Sequence, residues 1–202
     1  MPVEQRFLGL DRRSLVPGLV VIGIWALWSV VVPQVDDAVA YDDTVRAGDR
    51  FSLTEDLAFT PPTGWNVVEG FRTTEEPAAG PGGQVQVSDG TLSVVVVPDD
   101  FDGTPSELLD QVTDVDEATT DAFKVEGERY TVTTRAGATG VAEGFTTPRS
   151  QGTITAFVID GTGVEFNVVG TTAQLAAHAT ELTQMIESLG PWDAAPTEEG
   201  AS

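Results

Sequence analysis

The chain has 202 residues, no cysteine, and 32 Asp and Glu against 10 Lys and Arg, for a formal net charge of −22. The lack of cysteine excludes disulfides, thiolate catalysis, zinc–thiolate sites and a lipidated N-terminal cysteine. The charge argues against nucleic acid as a partner, because phosphate binding needs clustered Lys and Arg, and against direct docking on an anionic leaflet.

Residues 1–14 form an arm too short to fold, expected in the cytoplasm. Residues 15–32 (LVPGLVVIGIWALWSVVV) carry no ionisable side chain and are closed by Pro33. A bilayer core of about 30 Å needs roughly 20 apolar residues in a helix, with a range from about 17. Residues 15–33 are therefore expected to cross the lipid bilayer as a helix, since backbone polar groups find no water there. Pro17 falls in the first turn, where a missing N–H costs little. Arg6, Arg12 and Arg13 precede the stretch, and Asp36, Asp37, Asp42 and Asp43 follow it. That asymmetry predicts a single-pass cell-membrane protein with a cytoplasmic N-terminus and the rest outside. A cleaved signal peptide is the rival, because Ala38-Val39-Ala40 fits the small-x-small pattern, although the apolar run exceeds the usual 7–15 residues. A buried core helix fits less well, since nothing in the run alternates with polar positions.

Residues 34–48 (QVDDAVAYDDTVRAG) read as an acidic linker, and residues 49–190 as one extracytoplasmic α+β domain. About 140 residues suffice for a single domain with its own core. Phe51, Leu53, Leu57 and Phe59 mark short strands. Pro61-Pro62-Thr63-Gly64-Trp65 is a turn, and 66–73 another strand. The stretch 75–83 (EEPAAGPGG) reads as a flexible loop. Residues 84–97 give a hairpin with Asp89-Gly90 as a type I′ turn, and the valines at 94–97 suggest a strand covered on both faces.

Thr104-Pro105-Ser106-Glu107 opens a helix with a capping threonine, proline at the first position and glutamate at the third. Leu108, Leu109, Val112 and Val115 give that helix an apolar side, and it is expected to fray in the acidic run 114–121. Strands follow at 123–125, 130–134 and 141–146. A second hairpin joins 153–159 to 164–169 across 160–163. Thr171 or Thr172 caps a final helix whose apolar face is Leu175, Ala179, Leu182, Ile186 and Leu189. Gly190-Pro191 ends it, and 191–202 read as a disordered acidic tail.

This order, with Phe59-Thr60-Pro61-Pro62-Thr63-Gly64-Trp65 early and Met185-Ile186-Glu187-Ser188-Leu189 late, resembles the α/β/α sandwich of PsbP-like photosystem proteins, Ran-binding Mog proteins and LpqN-type envelope lipoproteins. The resemblance implies an antiparallel sheet with packed helices over about 49–190. LpqN-type proteins carry a lipobox cysteine, and this chain has none, so a protein helix does the anchoring here. Members of this group share no one chemistry, so the resemblance implies a binding or accessory module and no particular ligand.

The candidate residues are few, and none is assigned a catalytic, cofactor or metal role. His178 is the only histidine, a general base or metal ligand by chemistry and a helix-boundary residue by position. No Gly-x-Ser-x-Gly accompanies it. Asp99-Asp100-Phe101-Asp102-Gly103 suggests calcium, but with Gly103 at loop position six, positions one and twelve are Pro98 and Leu109 where carboxylates are required. Asp114, Asp116, Glu117 and Asp121 read as a solvated cluster, Gly161-Thr162-Gly163 as too short for phosphate, and Trp65 as core. The expectation is a non-catalytic envelope module that binds a protein or a small apolar ligand. A carboxylate-based hydrolase is the alternative, because Asp and Glu are abundant.

Overall fold

The computed structural model describes residues 43–74, 83–119, 122–148 and 150–192. The expected arm 1–14, the span 15–33, the cleavage site at Ala40, residues 75–82 of the loop, Asp121 and the tail from 193 lie outside the described residues. Among the described residues, no helix is long and apolar enough to cross a membrane.

The domain is rich in antiparallel sheet and has few helices. Four short strands, β1 (Phe51–Ser52), β2 (Leu57–Phe59), β4 (Phe71–Arg72) and β11 (Gly190–Pro191), form a small sheet in the order β11-β2-β1-β4. Seven others form the large sheet: β3 (Asn66–Glu69), β5 (Val85–Ser88), β6 (Ser93–Asp100), β7 (Lys124–Thr133), β8 (Thr139–Thr146), β9 (Gln151–Ile159) and β10 (Thr162–Gly170). Their order is β3-β5-β6-β10-β9-β8-β7. Helix α1 (Pro105–Thr119) packs on β8, β9 and β10, while α2 (Thr172–Ala177) and α3 (Ala179–Glu187) follow β10.

Period-two alternation decides what each face of the large sheet buries. Val85, Val87, Val94, Val96, Phe157, Val164, Phe166 and Val168 share a core with Phe51, Leu53, Leu57 and Phe59 of the small-sheet segment and with Leu182, Met185 and Leu189. Ile154, Ala156 and Phe145 face the other way and meet Leu108 and Leu109 of α1. Val95 and Val97 are only half-buried, so the valine run is fully covered on one face and not on both.

Several boundaries differ from the sequence reading. Thr44 bridges to Asn66 and Val45 is 2% exposed, its N–H donated to the Trp65 carbonyl at 2.8 Å. The stretch expected as linker is therefore part of the domain from at least Asp43. Pro191 lies in β11, and the Trp192 N–H is donated to the Asp56 carbonyl at 2.8 Å, so the chain past Gly190 pairs with β2 before the described residues end. Strand β7 is continuous, with an irregularity between Glu126 and Tyr130 where two separate strands were expected.

The two turns exchange roles. Asp89-Gly90 is no two-residue I′ turn: 89–92 connects the strands, and only Gly90 of the pair has positive φ, at 91°. The Asp89 carboxylate instead accepts from the N–H groups of Thr91 and Leu92 at 2.8 and 2.6 Å. The I′ signature, positive φ at both central residues, falls on Asp160 (50°) and Gly161 (83°) between Ile159 and Thr162.

Helix α1 continues to Thr119 through the run expected to fray, because Thr113 is buried and Asp116 half-buried, so the acidic segment keeps an inward side. The final helix is two helices. Thr171 caps α2 through a capping box with Gln174, and the chain breaks at His178 before α3 begins. The buried face of α3 is Leu182 and Met185, continued by Leu189. Ala179 is exposed and Ile186 half-buried.

A candidate ligand cleft at the end of the last helix

Three segments converge on one concavity. The first is the turn 60–63. Here the Trp65 N–H is donated to the Pro62 carbonyl at 3.4 Å, and Gly64 takes φ 87°, which a type II turn requires of its third residue. The second is the β7–β8 turn. Thr134, 4% exposed, accepts at its carbonyl from Gly137, and at its hydroxyl from the Ala138 N–H at 3.1 Å. The third is α3 with Ser188 to Gly190 behind it.

Polar contacts fix the segments to one another. The Ser188 hydroxyl accepts from the Thr60 N–H at 2.8 Å and donates to the Met185 carbonyl at 2.6 Å. The Arg135 N–H is donated to the Glu187 carbonyl at 2.8 Å. Gly190 lies so close to Ala136 that an added Cβ would stand 2.9 Å from its methyl group. The cleft between them has a volume of about 480 Å³, with Met185, Leu189, Pro61 and Pro62 as apolar lining and Arg50, Arg135, Thr63 and Gln184 as polar lining. The two motifs that carry the family resemblance thus meet at one place.

Glu181 also lines the cleft, and its Oε2 is 2.7 Å from His178 Nδ1. His178 Nε2 is 3.0 Å from Asp89 Oδ2, and its ring stands edge-on to Trp65 with centroids 5.7 Å apart. The bond from Glu181, with the charge of Asp89 beside it, raises the imidazole above its usual value against the opposing effect of burial. Burial pushes the Asp89 carboxyl up, but the N–H groups of Leu92 and Thr91, the Thr91 hydroxyl and His178 outweigh it and hold the group below the carboxylate range. His178 thus ties the 89–92 turn to the start of α3 through both ring nitrogens. Trp65 is core, 3% exposed.

The acidic stretches separate. Asp99 and Asp100 end β6, exposed, and Asp102 is exposed beyond them. Among the described residues, no three His, Asp or Glu stand close enough to hold a metal. Gly163 serves packing, since a Cβ there would stand 2.9 Å from both Leu108 and Phe101. Asp116 is the exception to the solvated reading of its cluster. Burial raises its carboxyl, and burial together with the charge of Asp116 raises that of Glu165 on β10, against a hydrogen bond from Asn167.

Sequence reasoning placed Glu165 and Asn167 on a polar face, and it is the face that α1 covers. It did not single out Arg50, Arg135 or Gln184. A lone arginine in a turn has no periodicity, and only the meeting of three segments distant in sequence gives it a setting.

No protein-family model matches the sequence. No curated protein matches it either. Among solved structures, the domain is similar to cyanobacterial PsbP (CyanoP) from Synechocystis sp. PCC 6803, at 13% identity over 68% of this chain and 88% of that one, with a TM-score of 0.48.

Proposed function

We propose that this chain is a non-catalytic binding or accessory module of the cell envelope. Residues 15–33 anchor it as a single pass with the N-terminus in the cytoplasm, and the cleft beside α3 takes a small, largely apolar ligand. The cleft is the observation that carries the reading. Ligand pockets run about 300–1,000 Å³, mostly apolar with a few placed polar groups. About 480 Å³ falls in that range, with Pro62 and Ala136 giving accessible apolar surface over a floor of buried Pro61, Met185 and Leu189, and with two arginines and Gln184 among the polar groups that line the rest. A hydrolase needs an activated nucleophile or facing carboxylates. The Ser188 hydroxyl is spent on Thr60 and Met185, and Glu181 is held by His178. Glu165, raised by burial and by the charge of Asp116, and Asp116, raised by burial alone, stand apart from the cleft-lining residues.

The anchor is supported by the uncharged run 15–32 and the charge asymmetry around it. Alkaline phosphatase fused after Ser202 is expected to be active and a cytoplasm-only fluorescent protein dark. The reverse result overturns the topology. A mature band shorter by about 40 residues shows signal cleavage in place of anchoring. For the cleft, calorimetry of 4-phenylbutanol on the full chain in nanodiscs is expected to show saturable binding that Gln184→Trp, on the exposed side of α3, abolishes. Binding untouched by that substitution sinks the cleft as the site.

A further inference from the structure

We propose that the cleft selects an amphiphile with a single oxyanion head group, a carboxylate or phosphate monoester, and that Arg135 is the residue that reads the head. This rests on the binding reading above and adds the ligand's chemistry to it.

The first argument is how the chain spends its few cations. With 32 acidic residues against 10 basic ones, a guanidinium has carboxylates available everywhere. Arg72 is held by Asp43 and Asp49, both at 2.7 Å, and Arg129 by Asp110 and Glu143 at 2.6 and 3.0 Å. Arg46 lies near Asp43 and Asp49. Arg50 donates to the carbonyls of Trp192 and Pro191 at 2.6 and 3.0 Å. Arg135 differs from all of these: its guanidinium has no partner among the described residues, and it lines the cleft. Lys124 shares the lack of a partner but lies on edge strand β7 and is not among the cleft-lining residues.

The second argument is that Arg135 is presented from a fixed base. Its N–H is bonded to the Glu187 carbonyl, Thr134 and Ala138 close the turn around it, and Ala136 abuts Gly190. Little turn ordering therefore remains to oppose binding, and the cost left is that of ordering the exposed Arg135 side chain itself. The third is local charge. Glu181 is the only carboxylate among the described cleft-lining residues, and it is already engaged by His178, whereas Arg50 and Arg135 both line the cleft. Among the described cleft-lining residues, cations thus outnumber carboxylates two to one in a strongly negative chain. A guanidinium fork matches carboxylate or phosphate with two parallel hydrogen bonds. Pro62 and Ala136, accessible over the buried floor of Pro61, Met185 and Leu189, suit a short chain or a ring behind the head.

The test uses the full chain in nanodiscs of zwitterionic lipid, with empty nanodiscs subtracted, titrated with 4-phenylbutyrate, 4-phenylbutyl phosphate, 4-phenylbutanol and 4-phenylbutylamine. At least one anion is expected to bind tenfold or more tighter than the alcohol, with the amine weakest. Whichever anion binds tighter identifies the head group. Arg135→Gln is expected to bring anion and alcohol within twofold of each other and leave alcohol binding unchanged. Arg46→Gln, which removes the same charge elsewhere, is expected to preserve the preference. Alcohol binding as tight as either anion, or a preference that survives Arg135→Gln, overturns the oxyanion inference and leaves the cleft reading standing. Failure of all four probes to bind overturns both.

Discussion

The two faces of the large sheet are covered by different chemistry. Against the small sheet and α3, nineteen buried apolar residues form one cluster, with Phe51, Phe59, Phe157 and Phe166 ring to ring at 5.5 to 6.5 Å. Under α1 there are six among the described residues, and Glu143, Thr113, Asp116, Glu165 and Asn167 are interleaved with them. The first face is stabilised mainly by apolar burial, with the titratable His178 at its margin against Trp65. The second carries ionisable groups taken partly out of water, which costs free energy unless they are paired. Glu143 is paired with Arg129, whereas Glu165 has a like charge nearby. The larger apolar cluster and the partly buried carboxylates Asp116 and Glu165 therefore lie on different faces.

That contrast is most easily broken in the aromatic cluster. Phe166→Ala removes a ring in contact with both Phe59 and Phe157 and is expected to cost about 3–5 kcal/mol, a large part of a domain's total of about 5–15. Urea denaturation measures it. Leu109→Ala, under α1, opens a cavity in the smaller cluster and is expected to cost about 2–5 kcal/mol, less than Phe166→Ala. If the leucine proves the costlier, the ranking of the faces is inverted.

Glu165→Gln sharpens the comparison in the opposite direction. The folded carboxyl is raised, chiefly by burial, so the folded state holds its proton to higher pH than the unfolded chain does. That contribution is full below the unfolded value of about 4.3 and is lost as pH rises through the folded one. The substitution should therefore raise the thermal midpoint at pH 7 and do little at pH 4. A midpoint lowered equally at both would mean that the carboxylate is structurally required.

The smallest effect is expected at His178. Its folded pKa is raised, so its stabilisation is full below the unfolded value of about 6.5 and disappears as pH rises through the folded value. His178→Asn should lower the midpoint at pH 6 and hardly move it at pH 9. An equal loss at both would assign the ring's role to packing on Trp65.

Local signals were legible from sequence. The Thr104 capping box is present as read: the Thr104 N–H is donated to Glu107 Oε2 at 2.8 Å and the Glu107 N–H to the threonine hydroxyl at 3.3 Å. The 153–169 hairpin and the proline turn are also where they were expected, whereas of the expected apolar face of the last helix only Leu182 and Leu189 are buried. What was not legible depends on contacts between distant segments. The break at His178 coincides with the contact of its ring with Asp89 of another hairpin, and the 3.6-residue period runs through it without a mark. The Asp-Gly signal was right in kind and wrong in place, because the Asp89 side chain had other N–H groups to satisfy. Glu165 looked like a solvent-facing strand residue because nothing in a strand's alternation says which helix will lie on it.

The pairing of residues 43–45 with 65–67 has a consequence for anyone cutting this chain. A fragment begun at Asp49, the boundary suggested by composition, leaves out Val45, whose N–H and carbonyl are bonded to Trp65 and Gly64. It also takes from Arg72 the Asp43 carboxylate that forms two of its bonds. Ending at Gly190 removes the carbonyls of Pro191 and Trp192 that Arg50 holds. A soluble fragment that keeps its native edges must therefore run from Asp43 or earlier to Trp192 or later. A fragment of 49–190 that melts low or aggregates would be reporting the trimming of its ends and not a weakness of the fold.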